Sequence, residues 1–204
     1  LWKKVHKCVK QLNTLYKKKA TTVEINLWEK SFVQFSVELN KIRENFFNEI
    51  KPKILDLSEY MQDELKDLFL DYKKGWPENI NLDEQLKKDR AKNLMYGQLQ
   101  HGPQKMDIKI SSGKHLASQT LSRGQKKILS ITFYMAFIDL LLVKTNKKPI
   151  LCLDDFDAEI DENKLFKAAE FFKNKDTQIF ITSVQKNKIA KVFPDSQLFH
   201  VKHI

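Results

Sequence analysis

The sequence predicts an α/β protein in two parts, an antiparallel helical hairpin over residues 1–63 and a parallel-rich sheet with flanking helices over residues 64–204. Three patterns carry this. Apolar residues recur at steps of three and four from Trp2 to Ile50, the seam of paired helices. From Arg123 onward, helix, strand, helix and strand follow one another, the order of a parallel sheet with crossover helices. The composition, 42% hydrophobic and 11% aromatic with 14 Phe against 5 Gly, is that of an ordered chain rather than a disordered one.

Each element has its own signal. Trp2, Val5, Val9, Leu12 and Tyr16 mark a first helix, and Ile25, Trp28, Phe32, Phe35, Leu39, Ile42, Phe46 and Ile50 a second. The polar stretch Lys17 to Thr22 separates them, and Thr21 or Thr22 can cap the second helix, which Pro52 is expected to bend or restart. Leu68, Leu70 and Tyr72 alternate as a strand ending at Gly75-Trp76-Pro77, and a helix spans about 82–93. Gly97 and Gly102-Pro103 bracket an extended piece, after which Met106, Ile108 and Ile110 alternate as another strand. Arg123 to about Val143 reads as a long buried helix and Pro149 to Leu153 as a buried strand. A helix from about Glu162 to Lys173, a strand from Gln178 to Thr182 and an extended piece from Gln197 to Lys202 at the sheet edge complete the order.

Composition narrows the partners. A formal charge of +10 favours polyanions, although the lysines are scattered and locate no groove. Cys8 and Cys152, far apart in apolar surroundings, form neither a disulfide framework nor a zinc site, which fits a reducing cytoplasm. His6, His101, His115, His200 and His203 lack metal-ligand spacing. The run from Ile128 to Val143 is broken by Thr132 and Asp139, so no membrane span or membrane partner is expected. The chain starts at Leu1 rather than Met and is expected to be a fragment.

Chemistry concentrates after residue 120. An apolar strand ending in carboxylates places fixed negative charge beside Mg²⁺ and a nucleophilic water, so Asp154 is the expected metal ligand and Asp155 the expected catalytic carboxylate. Capping of the following turn is the structural alternative. Leu121-Ser122-Arg123-Gly124-Gln125 stands where a loop enters a helix: backbone N–H groups, a small Gly and a Ser hydroxyl suit a γ-phosphate, and equally an ordinary helix cap. The order matters more than either piece. Signature-like turn, long helix, Asp-Asp strand, Glu159-Ile160-Asp161 and a strand ending at Thr182-Ser183 follow the order of the ABC-type ATPases: signature sequence, Walker B strand, D-loop and switch strand.

Further residues sharpen this. Lys74-Gly75-Trp76, Gly102-Pro103 with Asp107, Leu121 to Lys127, Cys152 to Phe156 through Asp161, and Gln178 to Ile181 closely resemble the RecF family of bacterial recombination proteins, related in their heads to SMC proteins and Rad50. The resemblance is specific from about residue 70 and looser over the hairpin. It implies the C-terminal part of an ABC/SMC-type ATPase head carrying a short helical arm. It also implies a slow DNA-dependent ATPase, with ATP and Mg²⁺ as cofactors, an ATP-dependent homodimer, and double-stranded DNA, ss/dsDNA junctions, RecR and RecO as partners in gap repair. By position, Leu121, Ser122, Arg123, Gly124 and Gln125 would face the γ-phosphate held by the other subunit. Asp154 would serve Mg²⁺, Asp155 catalysis, Asp161 the D-loop, and Thr182 or Ser183 the switch.

The sequence also departs from that pattern. Gln104-Lys105 stands where His-Arg is common, Ala158 where Ser is usual, and the switch position lacks His. No Gly-x-x-x-x-Gly-Lys phosphate loop occurs, so such a loop is expected to precede Leu1, and this stretch is expected to be inactive alone. The competing readings are another SMC- or Rad50-like head and a non-hydrolysing adaptor with vestigial motifs.

Overall fold

Residues 1–145, 147–175 and 177–201 are described by the computed structural model. Two helices open the chain, α1 (Trp2–Lys17) and α2 (Thr22–Met61). The Thr21 hydroxyl accepts the Glu24 N–H while the Glu24 carboxylate accepts the Thr21 N–H and O–H, so a reciprocal cap starts α2. Contacts of Tyr16 with Glu29, Lys4 with Phe35 and Trp2 with Arg43 run in opposite directions along the pair, as the expected antiparallel hairpin requires.

The buried stripe of α2 runs through Ile25, Glu29, Phe32, Ser36, Leu39, Phe47, Ile50, Ile54, Ser58 and Met61. It is displaced from the expected seam, because three of its members are polar; Ile42 and Phe46, read as seam positions, are exposed. Pro52 does not restart the helix. It removes one N–H, while buried Ile50 and Ile54 hold the turns on both sides.

The chain then forms β1 (Leu68–Lys73), α3 (Leu82–Tyr96), β2 (Asp107–Ser112), β3 (His115–Leu116) and the single turn α4 (Ala117–Thr120). Next come α5 (Arg123–Thr145), β4 (Ile150–Leu153), α6 (Glu162–Lys173), β5 (Gln178–Ile181) and α7 (Lys186–Val192). One sheet has the order β1-β2-β3 with β2 and β3 antiparallel, and the other is the parallel pair β4-β5 with Leu151 opposite Ile179 and Leu153 opposite Ile181. The fold is mixed α/β, with its parallel pairing confined, among the described residues, to β4 and β5. Residues 197–201 pair with no strand, contrary to expectation; every residue from Pro194 to Val201 is exposed, so a strand there would have no covered face, and Lys202 lies outside the described residues.

Two compact units result, Leu1–Glu49 with Leu70–Ile110, and Ile50–Phe69 with the residues from Ser111 onward. The first is built on Val5, Cys8, Leu12 and Tyr16 of α1, Ile25 and Phe32 of α2, Trp76, and Leu82 and Leu86 of α3. Gly75 has a φ of 99°, and a Cβ there would collide with the Gly102 carbonyl oxygen, so the position needs glycine on both counts; the Gly102 N–H donates to Gly75 O at 3.0 Å. In the second unit Phe156 packs against Phe172 and Phe193 with ring centroids 6.1 and 6.4 Å apart.

Helix α5 is long and apolar enough by length and composition to cross a membrane, which the reading of Thr132 and Asp139 as interruptions did not expect. Both polar residues are partnered within the fold. Thr132 Oγ1 donates to Leu129 O and lies 3.1 Å from Ser58 Oγ, and Asp139 meets Lys175 Nζ at 2.5 Å. Buried Ile128, Met135, Ala136 and Ile138 make one side of α5 core.

Candidate functional site

The second unit gathers the chemistry at the carboxyl ends of its two parallel strands. A single threonine organises them. Thr182 follows β5 directly; its N–H donates to Leu153 O at 3.0 Å and its carbonyl accepts the Phe156 N–H, so its backbone ties the strand ends together. Its hydroxyl accepts the Asp155 N–H at 2.9 Å and donates to Asp154 Oδ1, which orients the first carboxylate of the pair. Asp154 and Asp155 are both exposed. Asp155 sits at φ 43°, a left-handed conformation that costs a non-glycine residue about 1 kcal/mol or more, and the bonds through Thr182 and Lys127 hold it there.

The start of α5 lies beside this turn. Lys127 Nζ donates to Asp155 O, and a Cβ on Gly124 would stand 2.8 Å from Glu159 O, so glycine is needed for close packing between the helix start and the loop after β4. Arg123, almost fully exposed, reaches Glu159 at 3.9 Å. Leu121 is buried behind the turn. Ser122 Oγ accepts the Gln125 N–H at 3.2 Å and Gln125 Oε1 accepts the Ser122 N–H at 2.9 Å. This is a reciprocal helix cap, and the N–H groups of Arg123 and Gly124 stay among the orphan donors of a helix start. An anion at those donors would meet the positive end of the α5 dipole as well.

The loop from Asp157 to Asp161 is pinned from its other side. Lys188 Nζ donates to Asp157 O at 3.1 Å and Ile160 O at 2.8 Å, while Glu159 takes a φ of 61°. Asp161 caps α6 by accepting the Lys164 N–H at 3.0 Å and pairs with Lys164 Nζ at 2.7 Å. Burial raises the Asp161 pKa, but the Lys164 hydrogen bonds outweigh it and hold the carboxyl below its ordinary value. Ser183 Oγ accepts the Gln185 N–H, so both hydroxyls at the expected switch position have internal partners.

The structure therefore joins Gly124, Lys127, Asp154, Asp155, Glu159 and Thr182 into one exposed patch, with Ser122 and Gln125 engaged mainly with each other. Lys127, Lys188 and the clamp at Thr182 escaped sequence reasoning; the available signal was the hydroxyl one residue past the end of a strand paired with the Asp-Asp strand. Among the described residues no group of three or more His, Cys, Asp and Glu can hold a metal by itself. Asp154, one hard carboxylate oriented by a hydroxyl, does fit the way Mg²⁺ is held through one or two carboxylates together with phosphate oxygens. Cys152 is exposed rather than set in apolar surroundings, whereas Cys8 is buried. Trp76 is 8% exposed and is a packing residue, with Lys74 Nζ 5.3 Å from its ring. His203 lies outside the described residues.

A family model described as the RecF/RecN/SMC N terminal domain matches residues 5–203. A DNA replication and repair protein RecF of Coxiella burnetii (strain RSA 493 / Nine Mile phase I) is 33% identical over 100% of this chain and 56% of its own length. The RecF of Pseudoalteromonas translucida is 29% identical over 100% of this chain and 57% of its own. The chain thus spans little more than half the length of these relatives. A solved structure of the recombination mediator protein RecF-ATP in the RecFOR pathway has a TM-score of 0.75 at 22% identity, over 90% of this chain and 52% of that one. A second, of RecF-ATPrS, gives 0.73 at 21% identity; at such identities both speak for the fold alone. The matching model is described as an N terminal domain, so the expected placement as the C-terminal part of the ATPase head is corrected. The expectations of a phosphate loop before Leu1 and of an inactive fragment, drawn from the missing Gly-x-x-x-x-Gly-Lys pattern, gain no support from a match of this kind.

Proposed function

The chain belongs to the RecF/RecN/SMC N-terminal domain family, and from that premise we propose that it forms part of a slow, ATP-dependent DNA-binding ATPase of recombinational repair. In this reading two copies close around ATP, and Ser122, Gly124 and Gln125 of one face the γ-phosphate held by the other. Each nucleotide then gains contacts from both copies only in the closed state, and that differential affinity drives association. Asp154 would hold Mg²⁺, which supplies positive charge to the phosphates, and Asp155 would orient the attacking water. Asp161 stiffens the loop that meets the other copy. The remaining partners in the reading are double-stranded DNA and its junctions with single strands, together with RecO and RecR. The place of action is the cytoplasm.

The observation that carries the reading is the Thr182 clamp. It orients the exposed Asp154 carboxylate and holds the main chain of exposed Asp155 beside a helix start, an arrangement that core stability alone does not require. Another observation favours the adaptor reading: the hydroxyls of Ser122, Thr182 and Ser183 all have internal partners. One experiment separates the two. In a protein of the relatives' full length, Asp155→Asn should lower ATP turnover by about a hundredfold or more while ATP binding persists. Ser122→Arg should abolish ATP-dependent dimerisation, read by light scattering, and spare ATP binding by the monomer. Turnover unchanged in the first variant, or dimers surviving in the second, would remove the corresponding role.

A further inference from the structure

We infer that the outward face of α1 is a docking surface for the phosphate backbone of a nucleic-acid duplex. The inference rests on the DNA-binding reading above and names the surface involved, using first-unit residues only. Lys3, Lys7, Lys10, Thr14 and Lys17 follow one another at steps of four, three, four and three, so they form a single stripe along one side of the helix. All five are exposed, and the opposite side carries buried Val5, Cys8, Leu12 and Leu15. From Lys3 to Lys17 the stripe is about 21 Å long at 1.5 Å per residue. Along that length a B-form duplex presents about a dozen phosphate charges, one per 1.7 Å of axis.

A solvated lysine face is the ordinary alternative, and three observations set this one apart. Helix α1 contains no acidic residue, and none of these four lysines pairs with a carboxylate among the described residues, although carboxylates elsewhere are widely paired. The stripe continues into Lys18 and Lys19 of the following turn, both exposed, with Lys19 at φ 50°. The stem of Lys17 lies against Gly97, where a Cβ would approach its Cγ to 2.6 Å, which orders that side chain before any ligand arrives. Lysines in a line, without an exposed aromatic run among them, suit point-charge contacts to phosphate rather than the reading of bases.

The test changes Lys3, Lys7, Lys10 and Lys17 together to Gln in a protein of the relatives' full length. Affinity for a short random-sequence duplex is followed by fluorescence anisotropy from roughly 50 to 200 mM salt. The salt slope should fall by about three to four and the low-salt affinity by at least about tenfold, with ATP binding unchanged. The matching four-Arg variant should restore binding, which separates charge from misfolding. A control with Lys66, Lys114, Lys147 and Lys173 changed to Gln should bind as the unaltered protein does. Equal losses in stripe and control would mean diffuse charge and overturn the surface. So would an α1 variant that binds DNA normally, including one that loses only binding to phosphatidylserine vesicles. Absence of DNA binding by the unaltered protein would sink the DNA reading itself, and this surface with it.

Discussion

Glu29 and the pair Asp154-Asp155 are carboxylates in the two units of one chain, and their surroundings differ in almost every respect. Glu29 is 5% exposed, accepts the Tyr16 hydroxyl at 2.6 Å and meets Arg90 Nη2 at 2.5 Å. Arg90 also donates to Asn26, and buried Asn93 reaches Tyr16. Burial first, then the hydrogen bond and the charge of Glu29, push the Tyr16 phenol well above its ordinary pKa, so it stays a neutral donor. Asp154 has one hydroxyl partner and open surface around it. A charge that is enclosed and fully met maintains the fold, whereas one that is oriented and left exposed can receive something from outside.

The contrast breaks first at Glu29. Glu29→Ala leaves Arg90 and Tyr16 without their acceptor and should cost about 3 kcal/mol, within the range for breaking a buried pair. In a chain of this size that lowers Tm by about 6–12 °C. Asp154→Ala, followed by the same thermal unfolding, should cost no more than about 1 kcal/mol. Similar costs at both positions would erase the distinction.

Gly124 sharpens it. If that glycine serves packing against Glu159 O as well as ligand approach, Gly124→Ala should destabilise the nucleotide-free protein by about 1–2 kcal/mol. Unchanged stability would leave ligand approach as its sole role. The smallest effect concerns Asp161, whose pKa in the folded state lies below its ordinary 3.8. Its contribution is therefore present above that value and is lost as pH falls through the lower, folded one. Asn is also a good cap, so Asp161→Asn should cost about 0.5 kcal/mol or less near neutrality. The difference from the parent should begin to shrink in unfolding measurements as the pH drops below the ordinary value and vanish below the lower, folded one.

Much of this was legible in the sequence where periodicity and position agree. Helix α6 spans Glu162–Lys173 as expected, and β4 and β5 are the two short apolar runs. What periodicity hid was polar burial. Glu29, Ser36 and Ser58 occupy the inner face of α2, and larger apolar residues on its flank drew the expected seam aside. Helix α7 was missed because three lysines and an asparagine take four of its seven residues and leave Ile189 and Val192 to carry the pattern. At the site, Asp154 and Asp155 announced themselves by following a short apolar run, the expected buried strand, although only Leu151 of β4 is buried. The role of Thr182 depends on strand register and emerges only once β4 and β5 are paired.

The cap that opens α5 has a thermodynamic corollary. Because the Ser122 N–H already donates to Gln125 Oε1, an anion that recruits that N–H must evict a resident acceptor, whereas the Ser122 hydroxyl, which accepts the Gln125 N–H, keeps its proton free to donate. Forfeiting one such bond, at about 1 kcal/mol, weakens apparent affinity roughly fivefold and sets a concentration threshold below which the helix start keeps its own company.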